Sequence, residues 1–490
     1  MSGLKRTALI AGALFALTLA TPIPFGSVQL WAWDSVLYAR AIEHGFHVDY
    51  ATATQRPHPP GYIFYVAITT FARQFTADNN GALVLVSMIA TALAASALFV
   101  LARRFASERS AVLVALGFAL NPLVWLYSEI AYPYAVLGLL SIVLAAGFAQ
   151  ARGRGVTAAL IASAAFGAIA GFRQDLLLIF AAAWAWTVWP LDWRGRAATA
   201  GALSLGCLTW LIPTTVLSDG FFDYIDDVLH QTDFVKETHS VLAQGLPALG
   251  TNLSTTLYAL GWGLGLFALP VVALTLIGGY RAIRSRNVRP GRSQQLLLAW
   301  IVPAIALYIV VHIGEWGYVL SILPALYVVA AMAIDGLPLV PQGARRAVFA
   351  ASLIVPVLVF TTNSAPFSAA AIAQHDWELA ARVNYVRAHY AANTTLLIAR
   401  EDFLLIRYYL PEYRTWFHDR DPYASTHRRK RAPKVTAIVV LTPGLRTTAA
   451  EALRVTCAKG VELVYLAIEP GAVVELHNDE YTIAEPPAQR

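Results

Sequence analysis

Strongly apolar runs recur along most of this chain, separated by short polar connections. Runs of about 20 residues are long enough for a helix to cross a bilayer core. By that pattern the spans fall at 7–25, 81–102, 110–128, 131–150, 156–172, 174–191, 197–217, 251–280, 294–313, 317–334 and 345–363. The pattern predicts a polytopic α-helical membrane protein with about 11 transmembrane helices. Interfacial helices are expected in the first polar loop, 26–80, and a small C-terminal α/β soluble domain after residue 364. The first run, behind Lys5 and Arg6, has the look of a signal peptide but no small-x-small cleavage pattern, and is read as a retained helix.

The segment 61–75, G-Y-I-F-Y-V-A-I-T-T-F-A-R-Q-F, is apolar but short for a span. Charge decides its reading. If it does not cross, one set of connections holds sixteen basic residues against Glu108, Asp192 and Asp335. The opposite set holds five basic residues, Arg40, Arg56, Arg73, Arg173 and Lys236, against thirteen acidic ones. Such an asymmetry is the positive-inside signal. It makes 61–75 an interfacial or re-entrant helix and puts the first loop, Glu129, Arg173, the 218–250 loop and H-I-G-E-W-G-Y (312–318) on the outer face. In a bacterium the two faces are cytoplasm and periplasm of the inner membrane, with the C-terminal domain outside.

Composition fits this reading. The chain is 57% hydrophobic and 13% charged, about half the charge of an ordinary soluble domain. Its net charge of +6 resides largely in clusters between spans, which argues against a nucleic-acid partner. Cys207 and Cys457 show no metal-type spacing. Residues 375–490 carry 15 basic and 14 acidic residues. There T-T-L-L-I-A, T-A-I-V-V-L and V-E-L-V-Y-L read as buried strands, with helices at 376–391 and 447–458. The run H-R-R-K-R (427–431) reads as a solvated loop or a contact for lipid phosphates.

The first loop carries the densest candidate chemistry. Asp34 follows Trp31 and Trp33. It can cap a helix over 35–45 or serve as a general base that takes a proton from a hydroxyl. R-P-H-P-P-G-Y (56–62) starts a helix at its prolines. It also holds Arg56 and His58 on a stiff turn, suited to a phosphate. Trp33 and Tyr62 are belt aromatics or platforms for stacking a sugar. Arg173, alone between two apolar runs, needs either a partner carboxylate such as Asp175 or Glu129, or an anionic ligand. Glu129 and Glu315 are candidates for a second acidic or orienting group. Paired carboxylates with His312 also allow a divalent metal, although the spacing defines no metal motif and requires no cofactor. The carboxylates of F-F-D-Y-I-D-D-V-L-H (221–230) read as a solvated helical face.

A first membrane helix, then D-S-V-L-Y-A-R-A, then H-P-P-G-Y, then the turn L-A-R-R-F at 101–105 and a helix from Ser110, resembles the GT-C class of integral-membrane glycosyltransferases. The nearest likeness is to its protein O-mannosyltransferase and aminoarabinose transferase branch, over roughly residues 1–190. Ser35 stands where protein-mannosylating members carry Glu after the Asp. The resemblance implies a polyprenyl-phosphate sugar donor, a glycan, lipid or protein acceptor, inverting transfer, and Asp34 as the loop-one carboxylate. It places Arg56 and His58 where a cation meets the lipid phosphate. The alternative class is a transporter or flippase of lipid-linked sugars. Spans nearly free of charge and without evident inverted repeats speak against it.

Overall fold

The computed structural model describes residues 3–50, 56–284, 290–336, 342–417, 435–445, 461–469 and 471–477. The H-R-R-K-R run, the helix expected at 447–458 and Cys457 lie outside the described residues. Six helices are long and apolar enough to cross a membrane: Gly3–Ala20, Asn79–Ala102, Tyr134–Ala151, Trp193–Val216, Leu246–Gly278 and Arg292–Val310. Shorter apolar helices Val156–Ile169, Asp175–Val188, Leu323–Gly336 and Val348–Thr362 stand where further spans are expected. The protein is an integral-membrane helical bundle with a small C-terminal sheet.

Two expected spans are not continuous. The run at 110–128 is a pair, Glu108–Ala119 and Pro122–Glu129, bent by 54°. Asn121 causes the break: its side chain accepts from the Leu123 and Val124 N–H groups and so caps a new helix that opens on Pro122. The run at 251–280 divides into Leu246–Leu264 and Ala268–Arg284, with Gly265 between them at φ +51°.

Small residues set the closest helix contact. A Cβ added at Gly206 would lie 2.2 Å from the Ala164 carbonyl oxygen, and one at Gly167 2.2 Å from that of Leu203. Helices Val156–Ile169 and Trp193–Val216 therefore meet backbone to backbone, as small residues permit inside membranes.

The 61–75 segment folds as helix Ile63–Ala72 and a 3-10 turn at Arg73–Phe75. Ten helical residues reach about 15 Å, half a bilayer core. Phe71 and Phe75 project from it, 62% and 68% exposed.

The C-terminal sheet comprises β1 (Thr395–Ala399), β2 (Arg414–Phe417), β3 (Ala437–Leu445), β4 (Glu462–Glu469) and β5 (Ala472–His477). Its order is β2-β1-β3-β4-β5, parallel except for β5. The apolar strands expected from the sequence are β1, β3 and β4, the unalternating type that a parallel sheet buries on both faces.

This sheet domain grips the first loop. Asp376, on helix Ala369–His389, accepts from Ser27 Oγ at 2.7 Å and from the Val28 and Gln29 N–H groups at 2.8 and 3.3 Å. Tyr409 Oη accepts from the Leu30 N–H at 2.8 Å. Trp31 stacks on His375, ring centroids 4.3 Å apart. The backbone leading to Asp34 is thus held from the far end of the chain.

Candidate active site

Asp34 does not cap a helix. The helix runs Trp33–His44, and Asp34 lies in its first turn. Ser35 takes the capping work: its Oγ accepts from the Ala32 N–H at 3.2 Å and donates to the Ala131 carbonyl at 2.7 Å. The Asp34 carboxylate is left free to face the H-P-P-G-Y turn.

That turn is shaped by its glycine. Gly61 has φ +90°, and an added Cβ would fall 2.3 Å from Val48 Cγ2. Tyr62 follows at φ +51°, a left-handed conformation costly for a tyrosine. The turn carries His58 against Asp34, Nε2 to Oδ1 at 3.2 Å, while His58 Nδ1 lies 2.7 Å from the Pro59 carbonyl. A carbonyl and an ionised carboxylate can only accept, so this arrangement favours hydrogen on both ring nitrogens and a cationic imidazole. Burial opposes the His58 charge, but Asp34 and the Pro59 carbonyl outweigh it and raise the pKa. Burial likewise opposes ionisation of Asp34. The charge and hydrogen bond of His58, then the charge of Arg173, hold its carboxyl below the usual range.

Arg173 is buried. Its guanidinium forms a forked pair with Asp175 at 2.9 and 3.2 Å. The rings of Tyr318, Tyr134 and Tyr62 surround it, with centroids 4.7, 4.9 and 5.3 Å from Cζ. Such a cage stabilises a buried cation without neutralising it further. Its neighbour Phe172 lines an apolar cavity of about 370 Å³ between helices Ile63–Ala72, Asn79–Ala102 and Tyr134–Ala151. Ile68, Phe71, Leu85, Ile89 and Leu139 form much of its wall.

Glu315 approaches the same centre. Tyr132 Oη donates to it at 3.5 Å. Burial, then the nearby charge of Asp34, push its carboxyl up to about 7, against hydrogen bonds from Tyr132 and Tyr127. His312 packs beside His239, rings 4.6 Å apart. Burial, His239 and Arg173 push its pKa down to about 4.

The structure thus brings together Asp34, His58, Tyr62, Arg173 and Glu315. Arg56 is exposed and makes no ion pair among the described residues. Glu129 is fully buried with Trp125 as its side-chain neighbour, and among the described residues it pairs with neither Arg173 nor Asp34. Trp33 is turned to the C-terminal domain, its indole N–H donating to the Glu401 carbonyl and its ring 5.2 Å from Phe417. Helix Phe221–His239 is solvated, as its acidic face suggests, with Tyr224 as its buried contact, donating to the Pro60 carbonyl at 3.3 Å. No group of three or more His, Cys, Asp or Glu among the described residues could hold a metal ion. The tyrosine cage escaped the sequence reading. Its signal was the density of tyrosines beside span ends, in Y-S-E-I-A-Y-P-Y and H-I-G-E-W-G-Y.

No protein-family model matches the sequence, and no curated protein does. Among solved structures, ArnT from Cupriavidus metallidurans bound to undecaprenyl phosphate superposes with a TM-score of 0.54 at 13% identity, over 86% of each chain. The same protein in its apo state gives 0.53 at 14% identity, over 86% of this chain and 87% of that one. The archaeal oligosaccharyltransferase AglB from Archaeoglobus fulgidus, with an inhibitory peptide and a dolichol-phosphate, gives 0.45 at 14% identity, over 84% of this chain and 65% of its own. Over about 86% of its length this protein shares the fold of the ArnT structures.

Proposed function

We propose that the protein is a glycosyltransferase that moves a sugar from a polyprenyl-phosphate donor to an acceptor hydroxyl, with inversion, on the outer face of the membrane. The single observation that carries this reading is the Asp34–His58 pair within electrostatic reach of Arg173, where Phe172 ends the apolar cavity. A carboxylate, two cations and an apolar groove between helices are the parts such a reaction needs. The undecaprenyl phosphate in the ArnT complex supports a lipid of that class.

In this scheme the donor's isoprenoid chain lies in the groove and its phosphate faces Arg173 and His58. The carboxylate of Asp34 takes the acceptor's hydroxyl proton as that oxygen attacks the anomeric carbon. The bond from that carbon to the phosphate oxygen breaks, and polyprenyl phosphate departs with the bonding pair. His58 and Arg173 stabilise the charge developing on it, the kind of preorganised electrostatics that dominates many catalysed reactions. Tyr62 is positioned over Arg173 to pack on the sugar. Glu315, largely protonated below neutrality, orients the acceptor by donating a hydrogen bond. Residues 1–363 form the transferase body and 364–490 an extracytoplasmic domain that fixes the first loop.

The test is transfer in liposomes from a panel of polyprenyl-phosphate monosaccharides, comparing wild type with Asp34→Asn. Turnover that falls by at least about 100-fold in a folded variant that still binds donor supports the assignment. Equal turnover removes Asp34 from the role of base.

A further inference from the structure

The face of the bundle opposite the candidate active site carries a cationic cluster of its own. Helix Tyr134–Ala151 begins with a ring over the Arg173 guanidinium and ends at Arg152. Its 18 residues rise about 27 Å, close to the thickness of a bilayer core, so Arg152 lies at the far membrane surface. Helix Arg292–Val310 runs the opposite way. Near its end Tyr308 donates to the Tyr318 carbonyl beside the tyrosine cage, and its start brings Arg292 within electrostatic reach of Arg152.

The two arginines are held differently. Arg152 is stacked on the Trp186 ring, its Cζ 4.1 Å from the centroid. Trp186 is fixed in turn: its Nε1–H donates to Gln295 Oε1 at 2.9 Å, and Gln295 Nε2 donates to the Pro290 carbonyl at 3.0 Å. Arg152 Nη1 is buried and has no hydrogen-bond acceptor. Arg292 is exposed. Among the described residues neither guanidinium pairs with a carboxylate. Asp192, the acidic residue of the nearby 189–196 turn, is committed to its own helix, accepting from the Gly195 N–H at 2.8 Å.

A buried N–H of a charged group without an acceptor is rare and costly. Two cations close together without a carboxylate repel, and burial, then Arg292, depress the Arg152 pKa. An anion with several acceptor oxygens offsets both, and the guanidinium fork matches phosphate. The flanking turn indicates which phosphate. Trp189 and Trp193 are 69% and 72% exposed, with Arg196 and Arg194 over their rings at 4.8 and 5.4 Å. Exposed indoles at a helix end mark the headgroup layer, and basic sites between helices at that depth take lipid headgroups. We propose that Arg152 and Arg292 bind the phosphate of an anionic lipid in the leaflet opposite the candidate active site. The site is independent of the transferase reading.

The full-length protein would be placed in phosphatidylcholine nanodiscs with a rising fraction of phosphatidylglycerol, following the thermal midpoint. A second series would add inorganic phosphate to phosphatidylcholine nanodiscs at constant ionic strength. Wild type gains stability with phosphatidylglycerol and not with inorganic phosphate. Arg152→Gln weakens the apparent lipid affinity by about tenfold, the scale of a charge-assisted hydrogen bond. Arg292→Gln, at an exposed position that leaves the packing intact, weakens it by about fivefold, the scale of one basic residue at an anionic surface. Arg104→Gln removes the same charge from an exposed position just past the end of helix Asn79–Ala102 and responds as wild type does. A wild type indifferent to phosphatidylglycerol would overturn the proposal, as would an Arg292 variant that responds like wild type. An Arg104 variant as impaired as the other two would show diffuse attraction instead of a site. An equal response to inorganic phosphate would make the site one for soluble anions and refute the lipid assignment.

Discussion

Replacing His58 with Gln isolates what the histidine does for Asp34. In the wild type a cationic imidazole sits 3.2 Å from the carboxylate, with the two side chains 31% and 28% exposed. A hydrogen bond between charged groups contributes about 1.5–3 kcal/mol, and partial exposure argues for the lower end. Losing this interaction raises the Asp34 pKa in the variant. The direction follows from burial, which then acts on Asp34 with only Arg173 to oppose it. The pH profile of kcat/KM for sugar transfer reads this directly, because a base must be ionised to act and the acidic limb reports its pKa. That limb moves to higher pH in His58→Gln, whatever the absolute rate. An unmoved limb would refute either the pairing or the role of Asp34. The same pair makes stability bell-shaped in pH. The Asp34 contribution is complete above the unfolded pKa of about 3.9 and is lost as pH falls through the lowered folded value. The His58 contribution is complete below about 6.5 and is lost as pH rises through the raised folded value.

Glu315 carries the opposite sign. Its folded pKa of about 7 exceeds the ordinary carboxylate value, so the folded state holds a proton the unfolded chain releases, and stability falls as pH rises from about 4.5 to 7. Glu315→Gln flattens that slope in thermal melts; an unchanged slope assigns it to another group. Gly206→Val forces side-chain atoms into the Ala164 carbonyl and costs about 1–3 kcal/mol or more, read as a lowered melting midpoint. Gly201→Val, with nothing within 4 Å, serves as the control that stays near wild type. Asp376→Ala removes the acceptor of three hydrogen bonds to residues 27–29 and frees the strap before Asp34. Faster hydrogen exchange at Val28 and Gln29 follows, with kcat reduced more than donor affinity; unchanged exchange would show that Tyr409 and the Trp31–His375 stack suffice.

Much of this architecture was legible because a bilayer imposes length on apolar runs. The positions of the spans and the shortness of 61–75 could be read from run length and charge alone. The break at Asn121–Pro122 was also written locally, as a capping residue before proline, but the unbroken apolar character of 110–128 concealed it. The candidate site was legible only in part, since run length says which residues share a membrane face but not which side chains meet. Arg56 and His58 stand two residues apart on one stiff turn, yet only His58 reaches Asp34. The φ values of Gly61 and Tyr62, which help shape that turn, are set by packing against Val48 and Phe46 and by the tyrosine cage around Arg173. Glu129 and Glu315 looked equivalent as outer-loop carboxylates. They differ because Glu129 completes a buried helix while Glu315 lies in the extended backbone before a 3-10 turn, beside Tyr132. Least legible was the dependence of the first loop on residues nearly 350 positions away. Asp376 reads in sequence as one more acidic residue on an amphipathic helix, and only the closed chain shows that it holds the backbone entering the site. Loop-one chemistry on this fold is therefore not separable from the sheet domain. A chain ending after the last span, at Thr362, would keep Asp34, His58 and Arg173 but lose the contacts that place the first of them.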